Sequence, residues 1–322
     1  MKAAIFKTYG NKNSIVVEEV DNLIPKDHEI LIKVKATTVT AVDAIFRSGK
    51  KFFPRMATGV ISPKIKTLGT ELSGVVEMTG KKVTGFEIGD EVITDSGTNY
   101  GAHAEYVLVT DKDPIVRKPK YLSFKEAGAI SYGSLTALPF LRDHGKIKEG
   151  DRVLIIGASG SVGTYAVQLA KYYGAEVTAV CSSQNALLVK SLGADRIIDY
   201  RKTPIKDIHS RYDIIFDTVG KYSIAKTKHL LTPKGRYLTT ILSLRSVFDM
   251  LRTGRSKQKS ILALTGLRKN KEKTDDLRLI TELFKNHKLR AVIDKEFTLD
   301  TINKAFDYVA QGHKTGNVVI TF

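Results

Sequence analysis

The stretch from Arg152 to Cys181 narrows the possible folds more than any other part of the chain. An unbroken apolar run, Val153-Leu154-Ile155-Ile156, enters Gly157-Ala158-Ser159-Gly160-Ser161-Val162-Gly163; a segment with helical spacing follows, and a second apolar run ends at Cys181. The pattern predicts strand, glycine turn, helix, strand. A strand that is apolar along its whole length suits a parallel sheet covered on both faces. Glycines at these three spacings allow a tight turn, close approach of a pyrophosphate to the backbone, and close packing of helix on strand. The helix is expected to gather Val162, Tyr165, Ala166, Leu169, Ala170 and Tyr173 on one face and to end at Gly174. Free N–H groups and the dipole at its N-terminus favour an anion. A dinucleotide site is therefore expected on Gly157, Ser159, Gly160, Ser161, Val162 and Gly163. The plain alternative is a tight turn that holds no ligand.

The flanking sequence changes character near Leu122. Before it, short strands are expected at Ala3 to Phe6, Ile15 to Val20, Glu29 to Thr38, Leu72 to Thr79, Glu91 to Thr94 and Ala104 to Val109, separated by turn residues. An irregular stretch from Asp43 to Lys66, with Arg47, Lys50, Lys51, Phe52, Phe53 and Arg55 close together, reads as a binding loop or lid. Ser123 with Glu126 offers a capping box for a helix running to Ala137. From Val153 onward strands and helices alternate, the signature of a parallel doubly wound sheet. Leu242 to Arg252 looks like a short amphipathic helix, followed by basic residues. A helix covering a subunit or domain edge is the favoured reading of it, ahead of contact with a membrane surface. Its residues to Met250, with the Asp43 to Lys66 loop, are expected to face the substrate.

A length of 322 residues exceeds what one core usually serves, so two domains are expected. No apolar run approaches the ~20 residues that span a bilayer, and the N-terminus opens directly as a strand without a targeting pattern, so a cytoplasmic location is expected. Cys181 is the single cysteine, which excludes a disulfide framework and a cysteine-cluster zinc site. The net charge of +17 would suit a polyanion partner, but the cations are dispersed, clustering only from Arg252 to Lys273. A solvated surface is the favoured reading, with no specific nucleic-acid partner.

Several segments then match in order: Leu68-Gly69-Thr70-Glu71-Leu72-Ser73-Gly74-Val75-Val76-Glu77, Val83-Thr84-Gly85-Phe86-Glu87-Ile88-Gly89-Asp90-Glu91-Val92, Gly101-Ala102-His103-Ala104-Glu105-Tyr106-Val107, Gly133-Ser134-Leu135-Thr136-Ala137-Leu138, and the glycine turn. Together they resemble the medium-chain dehydrogenase/reductase superfamily, in its zinc-free quinone oxidoreductase-like branch. The resemblance implies an α/β protein with a GroES-like β-rich catalytic domain, residues 1–125 and 293–322, around a Rossmann nucleotide-binding domain, residues 126–292. It implies a substrate cleft between them. Zinc-containing relatives hold their catalytic metal with Cys, His and Cys; the matching positions here are Thr40, Thr70 and Tyr132. Hydroxyls are poor zinc ligands beside thiolate and imidazole, so no metal is expected, and Asp43 and Glu71 are read as structural acceptors.

NAD enzymes usually carry an acidic residue after the second strand. Here the chain reads Cys181-Ser182-Ser183-Gln184-Asn185. Donors without a carboxylate suit a 2′-phosphate, so NADPH is expected, with Ser182, Ser183 and Asn185 at the phosphate. The resemblance adds Tyr200 beside the adenosine phosphate, Arg201 nearby, and Val219 along the adenosine side. Without a Lewis acid, quinones and α,β-unsaturated carbonyls accept hydride more readily than plain ketones. The expected reaction is hydride transfer to such a small electrophile, with Thr40 and Tyr132 hydrogen-bonding its oxygen and Thr136 near the nicotinamide. A zinc-independent alcohol or aldehyde reductase, and an NADPH-sensing binding protein without turnover, are the competing readings. A homodimer is the expected assembly.

Overall fold

A computed structural model describes residues 1–10, 14–50, 55–56 and 58–322; Lys51, Phe52 and Phe53, read above as part of a binding loop, lie outside the described residues. Contacts divide the chain into two units. One comprises Met1–Tyr132, Arg268–Lys285 and Ala291–Phe322; the other comprises Gly133–Leu267 and Asn286–Arg290.

The second unit is built on a six-stranded parallel sheet. Its strands are β8 (Arg152–Ile156), β9 (Glu176–Cys181), β10 (Arg196–Asp199), β11 (Tyr212–Asp217), β12 (Leu231–Thr239) and β13 (Lys259–Leu262). They lie in the order β10-β9-β8-β11-β12-β13. The chain thus builds outward from β8 to one side, then returns to build from β11 to the other. This is the doubly wound Rossmann arrangement, and the carboxyl ends of β8 and β11 mark its switch point. Helix α4 (Ser161–Tyr172) follows the glycine turn. It is buried on every side from Ser161 to Ala170 rather than on one face, since Gln168 also exchanges hydrogen bonds with the backbone of Arg290.

β12 begins at Leu231 and includes Pro233 and Gly235, six residues earlier than the apolar run at Tyr237 suggests. The proline is tolerated because β13 pairs only from Arg236 onward, so its missing N–H removes no ladder bond on that side. A register shift between Tyr212 and Ile214 absorbs the irregularity on the other.

The first unit carries the remaining strands: β1 (Lys2–Phe6), β2 (Ile15–Glu19), β3 (Glu29–Thr38), β4 (Glu71–Thr79), β5 (Glu91–Asp95), β6 (Tyr106–Thr110), β7 (Ile115–Arg117), β14 (Ile293–Thr298) and β15 (Asn317–Thr321). β1 and β2 form a hairpin, while a larger sheet runs β14-β15-β3-β4-β5-β7 with β6 also on β3. This is the β-rich, GroES-like half of the α/β protein. Alternating residues of β3, β4 and β5 fill its core with Ile30, Ile32, Val34, Leu72, Val76 and Val92.

Helix α1 (Ala41–Ser48) occupies the start of the stretch read as an irregular loop. Arg47 on it is turned inward, 2.5 Å from Asp307 and over the ring of Phe306. Arg55 lies over the ring of Tyr9. Both cations are thus bound to protein groups rather than offered to a ligand. The helix expected from Ser123 to Ala137 is two: α2 (Phe124–Gly128), with the Ser123/Glu126 capping box in place, and α3 (Ser131–Pro139). Gly128 lies against the backbone of Ala36, where a side chain has no room. No helix among the described residues is long and apolar enough to cross a membrane.

Candidate functional site

The glycine turn sits at the end of β8. Gly157 has φ +80°, and a Cβ there would meet the side chains of Val219 and Thr218 at 2.5 and 2.7 Å. A Cβ on Gly163 would lie 2.1 Å from the Gly157 carbonyl oxygen. These two glycines are required by packing. Gly160 is different: it is the N-cap of α4 without a side-chain cap, and its Cβ would meet only the Gly157 oxygen at 3.5 Å. The N-terminus of α4 thus starts without a side-chain cap, the kind of helix end whose dipole favours a phosphate.

Two loops frame this turn. The Asn185 amide donates to Ser159 Oγ at 3.0 Å, joining the segment after β9 to the turn. The segment after β11 is held by Asp217, which is fully buried. Its oxygens accept from the N–H groups of Val219, Gly220 and Tyr222 and from the Tyr237 hydroxyl, all within 3.0 Å. Thr218 adds a bond to the Ile156 carbonyl at 2.9 Å. Val219 is left more than half exposed beside the turn, a geometry that fits a base or ribose laid along it.

After β9 the structure changes one expectation. Register pairs Cys181 with Asp199, so a carboxylate from β10 stands next to the segment that lacks one in sequence. The Ser183 hydroxyl, expected to donate to a phosphate, donates to Asp199 at 2.5 Å, and the Ser183 and Arg201 N–H groups do so too. These bonds hold the Asp199 carboxyl below its usual range. Two cations flank the Tyr200 ring, Lys221 with Nζ 5.2 Å from its centre and Arg201 5.8 Å from it, and the Lys202 charge also acts on Asp199. Lys221 was missed because it is 21 residues from Tyr200, and only the fold of β10 and β11 brings them together. Cys181 is buried, and burial pushes its thiol up to about 11.

The second cluster lies in the first unit, where β3 ends and α1 begins. Thr40 is the N-cap of α1. Its hydroxyl donates to Asp43 at 2.6 Å and accepts from the Asp43 N–H, and its own N–H also donates to that carboxylate. The hydrogen expected to reach a substrate oxygen is therefore engaged by the helix cap. Thr70 accepts through its carbonyl from Ser96. Glu71, 1% exposed, accepts from the Thr38 hydroxyl on one oxygen and from the Tyr132 N–H, at 2.7 Å, on the other. Burial pushes its carboxyl up to about 7.

The same burial, with the charges of Asp43 and Glu71, raises the Tyr132 phenol. Tyr132 thus keeps its proton at neutral pH, the form in which a phenol can donate a hydrogen bond. Thr136 lies one turn further along α3. His103, absent from the expected site, is fully buried, and its Nε2–H donates to the Thr38 carbonyl at 2.9 Å. Burial holds it below its usual range, so it is neutral. Lys314, from the far end of the chain, lies near enough for the Glu71 charge to oppose the burial that pushes it down to about 8.

The donors at the three positions matching the zinc ligands of metal-dependent relatives are neutral oxygens. Among the described residues, no group of three or more His, Cys, Asp or Glu could hold a metal ion.

Comparison with known proteins accounts for both halves. Residues 26–120 match the alcohol dehydrogenase GroES-like domain, and residues 192–320 match the family described as zinc-binding dehydrogenase. The chain is 32% identical to human "NAD(P)H oxidoreductase RTN4IP1, mitochondrial", covering 99% of this chain and 89% of that one. It is 31% identical to a 2-methylene-furan-3-one reductase of Solanum lycopersicum, covering 99% and 79%. Among solved structures, a quinone oxidoreductase from Coxiella burnetii superposes with a TM-score of 0.90 at 27% identity, covering 100% and 99%. The chain belongs to the medium-chain dehydrogenase/reductase superfamily, in its quinone oxidoreductase-like branch.

Proposed function

We propose that the chain is a zinc-independent oxidoreductase that uses NADPH to reduce a quinone or an α,β-unsaturated carbonyl. The observation that carries this reading is the chemistry at the vacated ligand positions. Thr40 Oγ1 is part of a helix cap, Tyr132 is a protonated phenol, and the carboxylates beside them already accept bonds from Thr38, Thr40, Gly69 and Tyr132. Neutral oxygens are weak partners for zinc. Acceptors that spread the incoming charge onto oxygen by conjugation need less help than a plain ketone.

The nicotinamide supplies the hydride when bound. The protein's own part is to hold and orient. Gly157 to Gly163 takes the pyrophosphate, Val219 borders the adenosine, and Thr136 stands beside the nicotinamide. Tyr132 donates a hydrogen bond to the acceptor oxygen. The 2′-phosphate is met by Lys221 and Arg201 at Tyr200, with Ser182 and Asn185 alongside. Asp199, its oxygens filled by Ser183 and Arg201, orients that segment. The names of the tomato relative and of the Coxiella structure support the acceptor class.

The test is oxidation of NADPH and of NADH by chelator-treated protein with a quinone, an enone and a simple aldehyde. Turnover of quinone or enone with a kcat/KM at least about tenfold higher for NADPH, reduced in Lys221→Ala, is expected; the tenfold corresponds to one charge-assisted contact of about 1.4 kcal/mol. Equal or better kcat/KM with NADH overturns the cofactor assignment. One zinc per chain by metal analysis, with activity lost on chelation, overturns the metal-free one.

A further inference from the structure

Helix α7 (Leu244–Thr253) lies against the sheet the wrong way round for a globular protein. Its buried residues are polar: Ser246, Asp249 and Thr253. Its outward residues are apolar: Leu244 is 79% exposed, Phe248 62% and Leu251 72%. At about 100° per residue these three fall on one narrow arc, with Arg245 and Arg252 along its margin. The inversion is fixed, not accidental. Ser243 and Ser246 form a capping box, the Thr253 hydroxyl accepts from the Ser260 N–H of β13, and Arg245 donates to Ser223 at 2.7 Å.

The charge around this arc is of one sign. Residues 244–259 carry five cations, Arg245, Arg252, Arg255, Lys257 and Lys259, and one carboxylate, Asp249, which is turned inward at 5% exposure. Further along the basic stretch, Arg268 pairs with Asp276, and Lys273 with Asp95. A second copy docked here about a two-fold axis would bring this cationic face against itself. A convex apolar arc rimmed by arginines, by contrast, is the form of a helix lying in the plane of an anionic bilayer, with its apolar side chains among the acyl chains and its cations at the headgroups.

We propose that α7 docks the protein on the surface of a membrane containing anionic lipid. This holds whatever the acceptor reduced. The chain contains no tryptophan, so Phe248→Trp places a single reporter on the arc.

The probes are phosphatidylcholine vesicles with and without phosphatidylglycerol. The unaltered protein is expected to co-sediment with the phosphatidylglycerol vesicles and not with phosphatidylcholine alone. The Leu244→Ser/Leu251→Ser variant, of unchanged net charge, is expected to bind at least about tenfold more weakly, and Phe248→Trp emission to shift to the blue on adding the anionic vesicles. The proposal is overturned by absence of binding, or by equal binding of the double variant, which would assign the attraction to the overall charge. It is also overturned if the Phe248→Trp shift occurs without vesicles as light scattering reports a doubled mass, since a second copy would then cover the arc. Circular dichroism melts establish that the variants fold; should the double variant not fold, the Phe248→Trp shift decides.

Discussion

Glu71 shows how one buried side chain can carry a pH dependence. Its carboxyl is raised from 4.5 to about 7, so between those values the folded chain holds a proton that the unfolded chain has released. Stability drawn from the neutral carboxyl is complete below about pH 4.5 and is lost as pH rises toward 7, then stays constant. Gln at this position cannot ionise. Urea unfolding of Glu71→Gln beside the parent, from pH 4.5 to 8, should show the parent losing up to about 3 kcal/mol relative to the variant over that interval. A parallel course for both would mean that Glu71 stays ionised in the fold. The proposed function gives Tyr132 a role through its hydroxyl alone: Tyr132→Phe is expected to lower kcat/KM for enones by about 10- to 100-fold, as for loss of one hydrogen bond to developing charge, while leaving the Kd for NADPH unchanged. Stopped-flow turnover and a fluorescence titration separate the two.

Among elements, the glycine turn is the most local and was the most legible. The distance of 2.1 Å from a Gly163 Cβ to the Gly157 oxygen means that Gly163→Ala must push α4 off the sheet. A loss of about 1–3 kcal/mol is expected from overpacking, seen as a lower urea midpoint, with NADPH binding weakened by at least about tenfold as the helix N-terminus moves. Binding at parental affinity would show that the phosphate is held elsewhere. Strand positions in the first unit were also legible, since β1, β3, β4 and β5 read correctly from alternation and turn residues. α1 was not. Its Thr40 and Asp43 satisfy a capping box, but Arg47 occupies an inward position and depends on Asp307 from α9 (Ile302–Ala310), a partner that local pattern cannot supply. Likewise amphipathicity identified α7 but not which side faces inward, because the polar groups that receive it lie on β13 and in the loop after β11. Asp199 and Lys221 were illegible for the same reason: their place at Ser183 and Tyr200 is set by strand order, not by proximity in sequence.

For the whole molecule, binding of cofactor to the folded form alone should raise stability by about 2.7 kcal/mol at a hundredfold excess over Kd. For a two-state chain of this length that corresponds to a rise of about 4 °C in Tm. Differential scanning calorimetry with NADPH, and with NADH at equal concentration, checks it; an equal shift from both would contradict the assignment of Lys221 and Arg201.

The sheet of the first unit also sets an order of events during synthesis. β15 lies between β14 and β3, its Val319 paired with Thr38, and the Val39 N–H donates to the Val318 carbonyl. Thr38 is made early, yet the strand paired with it is made much later. The residues of the nucleotide-binding sheet, 152–262, are all available before it. A growing chain can therefore assemble its nucleotide-binding sheet while Thr38, which donates to Glu71, still lacks the strand beside it. In a nascent protein, nucleotide binding should precede catalytic competence.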